Sequence, residues 1–313
     1  MVCGKCGTEV PGDSAFCPSC GEKLTKKKNG AVKRAILTLL VIIVAVVALL
    51  VTYAINFLAD PTQEKIRIDK RKGHISFEIE EDTNLEELTR MKRASGIFIY
   101  DNANRLENLD YLAELVQIEE LHLSSETLSD ISGIRNLVKL KNFYYAAWDR
   151  GAVTDISVMA GMPELESFDL WCMDLGPEKP RSIDLSPLAN CRKLKQINVC
   201  GYEGLQNAHV IANLPEVKHL TLFFCGLTDI SFLENHKSMD ELCLDYNNIT
   251  DISPLQGGTY GVLELIANPI ADAEMFRGIT VVDKLDITDC GFTAEEISKI
   301  KELVGGNCEV ITE

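Results

Sequence analysis

Four cysteines near the start of the chain have the types and spacing of a metal site. Two CxxC pairs, Cys3 with Cys6 and Cys17 with Cys20, lie in the first 21 residues, and a glycine follows each pair. Each CxxC turn places two thiolates on one ion, and the glycine permits the backbone to turn its amide groups toward sulfur. Four soft thiolates suit zinc better than a hard cation and leave no open position for a catalytic water. The sequence therefore predicts a closed zinc site in residues 1–24.

This segment resembles the short zinc ribbon at the N terminus of many bacterial membrane proteins, with the four cysteines matching its ligands. Ribbons of this kind serve nucleic-acid binding, protein docking or folding alone, so the resemblance implies a metal without implying a task. A metal-stapled knob without a ligand of its own and a knot of two disulfides are the alternatives, because so short a segment needs some staple.

An uncharged apolar run at residues 35–59 separates this head from the rest of the chain. A helix of that length would cross a hydrocarbon core of about 30 Å. A signal peptide would begin nearer the N terminus, and a buried core helix would be shorter and patterned. We therefore predict a transmembrane helix at 35–59, a basic juxtamembrane linker at 25–34 and a polar tether at 60–74.

Charge is distributed unevenly along the chain. The net charge is −16, of which residues 1–34 carry +4 and the part after residue 59 carries −20. The acidic body disfavours nucleic acid as a partner, and only the basic ribbon is weakly compatible with it. Zinc thiolates persist in a reducing compartment, and long domains are translocated largely regardless of flanking charge. These arguments predict a single-pass membrane protein with a cytoplasmic N terminus and an extracellular body, although cysteines in the body favour the opposite orientation.

The body, residues 75–313, is periodic. Short cores of two apolar residues flanking a third residue recur about every 22 residues, from Ile75–Phe77 to Cys308–Val310. The clearest copies read MDELCLDYNNITDISPL from Met239 and VKHLTLFFCGLTDISFL from Val217. They resemble leucine-rich repeats of the 22-residue class, including those of bacterial internalin-type surface proteins. The resemblance implies an α/β leucine-rich-repeat solenoid with a parallel concave sheet and short helices or 3₁₀ turns on the convex side.

The resemblance also implies roles for two positions in each repeat. The side chain at the bend after each strand lies inside and bonds to neighbouring coils, at Cys225, Asn247, Asn268 and Cys290. The aspartate of each DIS segment caps the following turn, at Asp130, Asp155, Asp184, Asp229 and Asp251. In earlier repeats Glu126, Trp148, Met173 and Tyr202 replace the bend residue, which leaves the geometry there open.

Seven cysteines follow residue 59, without the paired spacing of a disulfide framework. The sequence predicts buried thiols at Cys225 and Cys290, and it leaves exposure open for Cys172, Cys191, Cys200 and Cys243.

Residues that alternate with the apolar cores should project from the concave face. The predicted partner-binding residues are Phe98, Tyr100, His122, Tyr144, Trp171, Phe223, Asp245, Glu264 and Asp286. Aromatic side chains anchor interfaces, and carboxylates at one end would select a basic partner, so a protein or an extended polymer is the expected ligand. The alternative is ordinary variable surface whose acidity serves solubility.

The chain has no catalytic signature. Its histidines are scattered over repeat positions, and GxSxG, P-loop and HExxH motifs are missing from the sequence. We therefore predict a non-enzymatic, membrane-anchored protein that binds a macromolecule through its concave face, with zinc as its cofactor. In the alternative function, the ribbon is the working regulatory or nucleic-acid-docking module and the repeats are a structural or assembly element.

Overall fold

The computed structural model describes residues 2–10, 15–23, 66–69, 73–148, 153–172 and 181–312. These residues belong to two compact units, one within residues 1–62 and the other within 63–312.

The predicted single-pass membrane localisation is contradicted. Among the described residues, no helix is both long enough and apolar enough to cross a membrane. The predicted helix at 35–59 and the basic linker at 25–34 lie outside the described ranges. The predicted cytoplasmic N terminus and extracellular body are therefore not retained.

The N-terminal unit contains two turns with the same hydrogen bonds. The amide of Cys3 donates to the carbonyl of Thr8, and the amide of Gly7 donates back to the carbonyl of Cys3. Cys17 and Gly21 take the corresponding places in the second turn. Gly7 and Gly21 have φ angles of 72° and 71°, in the left-handed region that glycine adopts without steric cost. The glycine after each CxxC pair thus has the backbone role that the sequence predicts.

The second unit is built around a twelve-stranded sheet. Its first two strands are antiparallel, and the remaining pairs are parallel. Strands β7 and β9 form a separate parallel pair. The strands are β1 (Ile66–Asp69), β2 (His74–Ile79), β3 (Gly96–Asp101), β4 (Glu120–Ser124), β5 (Asn142–Ala147), β6 (Ser167–Cys172), β7 (Ser182–Asp184), β8 (Gln196–Cys200), β9 (Gly204–Gln206), β10 (His219–Phe223), β11 (Ser238–Cys243), β12 (Thr259–Glu264), β13 (Thr280–Asp286) and β14 (Glu309–Ile311).

The connections on the opposite side of the core are mostly 3₁₀ helices. They are Leu85–Arg90, Asp110–Leu112, Ser132–Ile134, Ser157–Gly161, Ser186–Asn190, Ala208–Asn213, Ser231–Leu233, Ser253–Leu255 and Ala273–Phe276. The α-helix α1 (Ala294–Leu303) begins with a capping box between Thr293 and Glu296. Lys299 of α1 lies 2.9 Å from Glu274 on the last 3₁₀ helix, so α1 packs against that helix.

The repeat sets the register of the sheet. Equivalent apolar residues of successive repeats pair across strands, as Ile97 does with Leu121 and Leu121 with Phe143. These side chains are fully buried. Because side chains alternate along a strand, the residues between them line the opposite face, which we call the concave face. The predicted solenoid with a parallel sheet is confirmed.

The sheet begins earlier than the sequence predicts. The sequence predicts a polar tether at residues 60–74, but β1 and the first residue of β2 lie within them and pair with each other. The segment IRID alternates apolar and charged residues, which is the pattern of a strand with one buried face. An antiparallel strand at this position pairs the edge that the first parallel strand would otherwise leave open.

The five predicted cap aspartates all bond to the turn that follows. In each, a carboxylate oxygen accepts from the backbone N–H of the serine two residues later, at 2.7 to 2.8 Å. These bonds lower the pKa of Asp130 and of Asp251. These aspartates therefore determine where five of the 3₁₀ turns begin.

Each asparagine at the bend joins its own coil to the preceding one. Asn247 accepts from the amides of Cys225 and Leu227 at 3.0 Å. Its amide group donates to the carbonyls of Leu222, Leu244 and Asp245 at 2.7 to 3.1 Å. Asn268 repeats the pattern one coil later. The predicted interior role of the bend asparagine is confirmed.

Other residues take over this role where asparagine is missing. The Cys290 thiol donates to the carbonyl of Leu265 at 3.0 Å, and the Tyr202 hydroxyl donates to the carbonyl of Val153 at 2.8 Å. In the first coils the buried Asp101 carboxylate accepts from the Leu106 amide. Different side-chain chemistries thus bond to backbone groups inside the solenoid.

The thiols whose exposure the sequence left open are all buried. Cys172, Cys191, Cys200 and Cys243 are at most 6% exposed, and Cys225 and Cys290 are buried as predicted. Burial raises the pKa of Cys191 to about 11. Such thiols remain protonated and behave as small apolar side chains.

Candidate functional site

The four N-terminal thiols converge on one point. The sulfur atoms of Cys3 and Cys20 are 3.6 Å apart, as are those of Cys6 and Cys17, and all four lie within 4.8 Å of one another. A disulfide needs sulfur atoms about 2 Å apart, and none of these cysteines is in one. A tetrahedral ion with Zn–S bonds of about 2.3 Å requires sulfur atoms about 3.8 Å apart. The thiols therefore fit one tetrahedral zinc ion, not two disulfides.

The surroundings of Cys3 and Cys6 favour the thiolate form. At Cys20 the Glu22 amide lowers the pKa, but the bond with Cys6 and burial outweigh it and raise the pKa to about 12. The Thr8 hydroxyl, 3.2 Å from Cys6 Sγ, and then the Thr8 amide lower the pKa of Cys6 to about 6. The Lys5 amide is the main cause that lowers the pKa of Cys3. Thiolates are the form that binds metal, so the backbone of the two turns already provides part of the stabilisation that a bound ion would complete.

The predicted aromatic residues form a ring stack on the N-terminal half of the concave face. The ring centroids of Phe98 and His122 are 4.3 Å apart, and those of His122 and Tyr144 are 5.4 Å apart. His74 extends the stack from the other side, 5.4 Å from Phe98. All four rings are partly exposed. The structure thus brings together three of the predicted residues and adds one that sequence reasoning did not assign to the face.

Glu120 fixes the two histidines of this stack. Its two carboxylate oxygens lie 3.2 Å from Nε2 of His74 and 2.9 Å from Nε2 of His122. Glu120 and His74 both pair in register with Gly96. They therefore form the column two residues before the column of Phe98 and His122. That register was the signal that could have placed both residues beside Phe98.

Tyr100 and Trp171 belong to the third column of the face. The register carries this column from Tyr100 through Ser124 and Ala146 to Trp171. Both aromatic side chains are partly exposed. Because Ser124 and Ala146 between them are small, the ring stack and Trp171 lie on one continuous surface.

The predicted acidic residues cluster on the C-terminal half of the same face. Asp245 and Asp286 are buried, and Glu264 is partly exposed. One ligand atom from each of Cys243, Asp245 and Glu264 lies within 4.8 Å of the other two. Lys284 bonds to Glu264. Sequence reasoning placed the carboxylates correctly on one face but missed Lys284 and the depth of the two aspartates.

Lys284 only partly neutralises this cluster. Burial lowers the pKa of Lys284, but its bond with Glu264 outweighs burial, so the pKa lies above its ordinary value. Burial, and then the charge of Glu264, raise the pKa of Asp245 to about 7. The cluster therefore holds more negative charge than its single ammonium offsets.

Titration of Asp245 should make the stability of the solenoid depend on pH. The folded-state pKa of about 7 lies above the ordinary value of 3.8, so the folded protein binds this proton more tightly than the unfolded chain. The stabilisation is complete below about pH 4 and is lost as the pH rises through about 7. Since one pKa unit corresponds to about 1.4 kcal/mol, the loss is at most about 4 kcal/mol. We expect Asp245→Asn to remove it, making the variant more stable than the wild type at about pH 8 and similar at about pH 4.

Urea unfolding at both pH values measures this difference. Asp283→Asn is the matched control, because Asp283 is an exposed aspartate on β13, and it should leave the pH dependence unchanged. Equal stability of Asp245→Asn and the wild type at both pH values would contradict the prediction.

A second aromatic pair borders the acidic cluster. The rings of Phe223 and Tyr246 are tilted at 53° with centroids 5.2 Å apart, and Tyr246 is 46% exposed. Tyr246 has a positive φ of 55°, which turns the chain directly after Asp245. Sequence reasoning identified Phe223 and missed Tyr246, which lies one residue beyond the predicted columns.

Comparison with known proteins finds similarities to the N-terminal cysteine segment and to the repeats. Residues 2–24 match the family model of a zinc-ribbon domain. No curated protein sequence matches the chain. Among solved structures, an internalin (InlF) from Listeria monocytogenes matches with a TM-score of 0.50 and 19% identity, over 77% of this chain and 75% of that chain. An internalin C2 from the same species matches with a TM-score of 0.44 and 24% identity, over 58% and 75% respectively. The likeness to InlF shows the leucine-rich-repeat fold and nothing beyond the fold.

Proposed function

We propose that this chain is a non-enzymatic binding protein whose concave face holds a protein or another extended polymer. The observation that supports the proposal most directly is the partly exposed stack of Phe98, His122 and Tyr144. Exposed aromatic side chains on a rigid sheet lose little conformational entropy on binding and supply most of the energy at protein interfaces.

The ribbon has a structural role in this proposal. Cys3, Cys6, Cys17 and Cys20 would hold one zinc ion, whose four thiolate bonds staple two turns that bury only a few apolar residues. A four-thiolate site has no open position for a substrate, so zinc would contribute folding free energy and not catalysis.

The proposal is tested on the full chain by replacing aromatic residues of the concave face. We expect Tyr144→Ala with Trp171→Ala to weaken capture of bound proteins at least about tenfold, because hot-spot aromatics each contribute about 2 kcal/mol or more. Capture by the immobilised chain, quantified by mass spectrometry, gives the measurement.

Trp148→Ala is the matched control, because Trp148 is 52% exposed but lies beyond the end of β5. Circular dichroism and thermal unfolding check that each variant folds. If the folded double variant retains the same proteins as the wild type and Trp148→Ala, the concave aromatic residues are not the binding surface.

A further inference from the structure

The C-terminal half of the concave face carries an excess of carboxylates. We define the acidic patch by its five members, Glu241, Asp245, Glu264, Asp286 and Asp289. Lys284 bonds to Glu264 and lies 4.0 Å from Asp286, and His219 lies 3.6 Å from Glu241. These two are the only basic partners of the patch among the residues that the structure describes. The patch therefore contains five carboxyl groups and has one ammonium group and one imidazole as partners.

The ring pair of Phe223 and Tyr246 lies within the field of this patch. Burial is the main cause that raises the pKa of Tyr246, and the charges of Asp289, Asp245 and Asp286 raise it further. A ring face surrounded by carboxylates offers a cation two attractions at once. The ring quadrupole attracts the cation directly, and the partly buried carboxylates act through a low dielectric.

We propose that the acidic patch and the Phe223–Tyr246 pair receive lysine or arginine side chains from an extended basic segment of a partner protein. The proposal rests on the concave face being the binding surface, and it assigns the chemistry of the partner that this surface selects. Charge complementarity favours a basic segment, since an acidic or neutral segment would leave the carboxylates of the patch unpaired. An extended segment presents side chains at intervals that can reach neighbouring strands of the sheet.

The partner chemistry is tested with defined peptides on the zinc-loaded full chain. The probes are fluorescent peptides of about 12 residues, long enough to cross the acidic strands at about 4.8 Å per strand, with alternating Lys and Thr, Gln and Thr, or Glu and Thr. Fluorescence anisotropy at about 0.05 M and 0.3 M salt measures their affinity and its screening.

Two variants with the same change of charge separate the patch from the overall acidity. The patch variant combines Glu241→Gln, Glu264→Gln and Asp289→Asn. The control combines Glu216→Gln, Glu234→Gln and Glu302→Gln, three exposed residues outside the strands. We expect the Lys peptide to lose at least about tenfold in affinity with the patch variant and less than about twofold with the control. Tyr246→Ser should weaken the same peptide about two- to fivefold.

Three results would overturn the inference: no binding of the Lys peptide, equal binding of the Gln peptide, or equal weakening by the patch and control variants. The peptide experiment can fail independently of the test of the proposed function, which measures protein capture by the variant at Tyr144 and Trp171. If those two residues are needed for protein capture while the peptides fail, the concave face binds partners that are not selected for basic residues. If both experiments fail, the face is not a binding surface.

Discussion

Replacing Asn247 with leucine is expected to lower the free energy of unfolding of the solenoid by about 4 kcal/mol or more. The side chain is buried and makes five hydrogen bonds to the backbone of its own coil and of the one before it. Leucine has a similar volume but leaves two amides and three carbonyls without this partner. Each buried unpaired group costs about 1 to 3 kcal/mol, reduced where relaxation allows water or another partner. Urea unfolding followed by circular dichroism measures the loss.

The neighbouring Asn248 provides the control. It has the same side chain but is exposed, so Asn248→Leu should change the free energy of unfolding by less than about 0.5 kcal/mol. Asn247→Cys should lie between the two, because cysteine occupies the equivalent bend at residue 290 and donates one bond to a carbonyl. Similar stability of Asn247→Leu and Asn248→Leu would mean that the hydrogen bonds of the Asn247 side chain do not hold the coils together.

The solenoid could be predicted because its information is local and repeated. One pair of apolar residues per repeat, at an almost constant spacing, determines which residues enter the core, and the strand register follows from it. The aspartate of each DIS segment needs only a backbone amide two residues away, so its role could also be read from the sequence. Neither feature depends on the identity of distant residues.

The features that sequence reasoning missed depend on contacts between columns or coils. Glu120 meets His74 only because β2, β3 and β4 are in register. Tyr202 reaches the carbonyl of Val153, 49 positions earlier in the chain. Alternation along a strand likewise indicates that Asp245 points to the concave face, but not that its neighbours cover it. For the candidate site, the sequence therefore predicted which side chains share a face but not their burial, protonation or pairing.

The membrane prediction shows a different limit. It was drawn from the apolar composition of residues 35–59, whereas the two parts of the chain that the structure describes were predicted from spacing. Spacing constrains which atoms meet, as the four converging thiols and the in-register strands show. Composition constrains only the average environment of a segment, and it is the basis of the prediction that the structure contradicts.

Replacing Cys17 with serine is expected to abolish zinc binding by the ribbon. Cys17 is 2% exposed, and its sulfur lies 3.6 Å from that of Cys6 within the four-thiol site. A hydroxyl is a poor ligand for zinc beside three thiolates, and structural zinc contributes about 10 to 16 kcal/mol to the folding of such small units. After dialysis against a mild chelator, native mass spectrometry should therefore find about one zinc ion per chain in the wild type and close to none in Cys17→Ser.

Cys308→Ser is the matched control for this loss. Cys308 is partly exposed in the last coil and lies outside the four-thiol group, so this variant should retain one zinc ion per chain. Cobalt substitution gives a second readout, because four thiolates around Co²⁺ produce charge-transfer and ligand-field bands that three thiolates and a water would shift. Retention of zinc by Cys17→Ser, or its loss from both variants, would mean that the four thiols do not form the metal site. The solenoid should unfold at the same urea concentration in all three proteins, because its hydrophobic core contains none of the four ribbon cysteines.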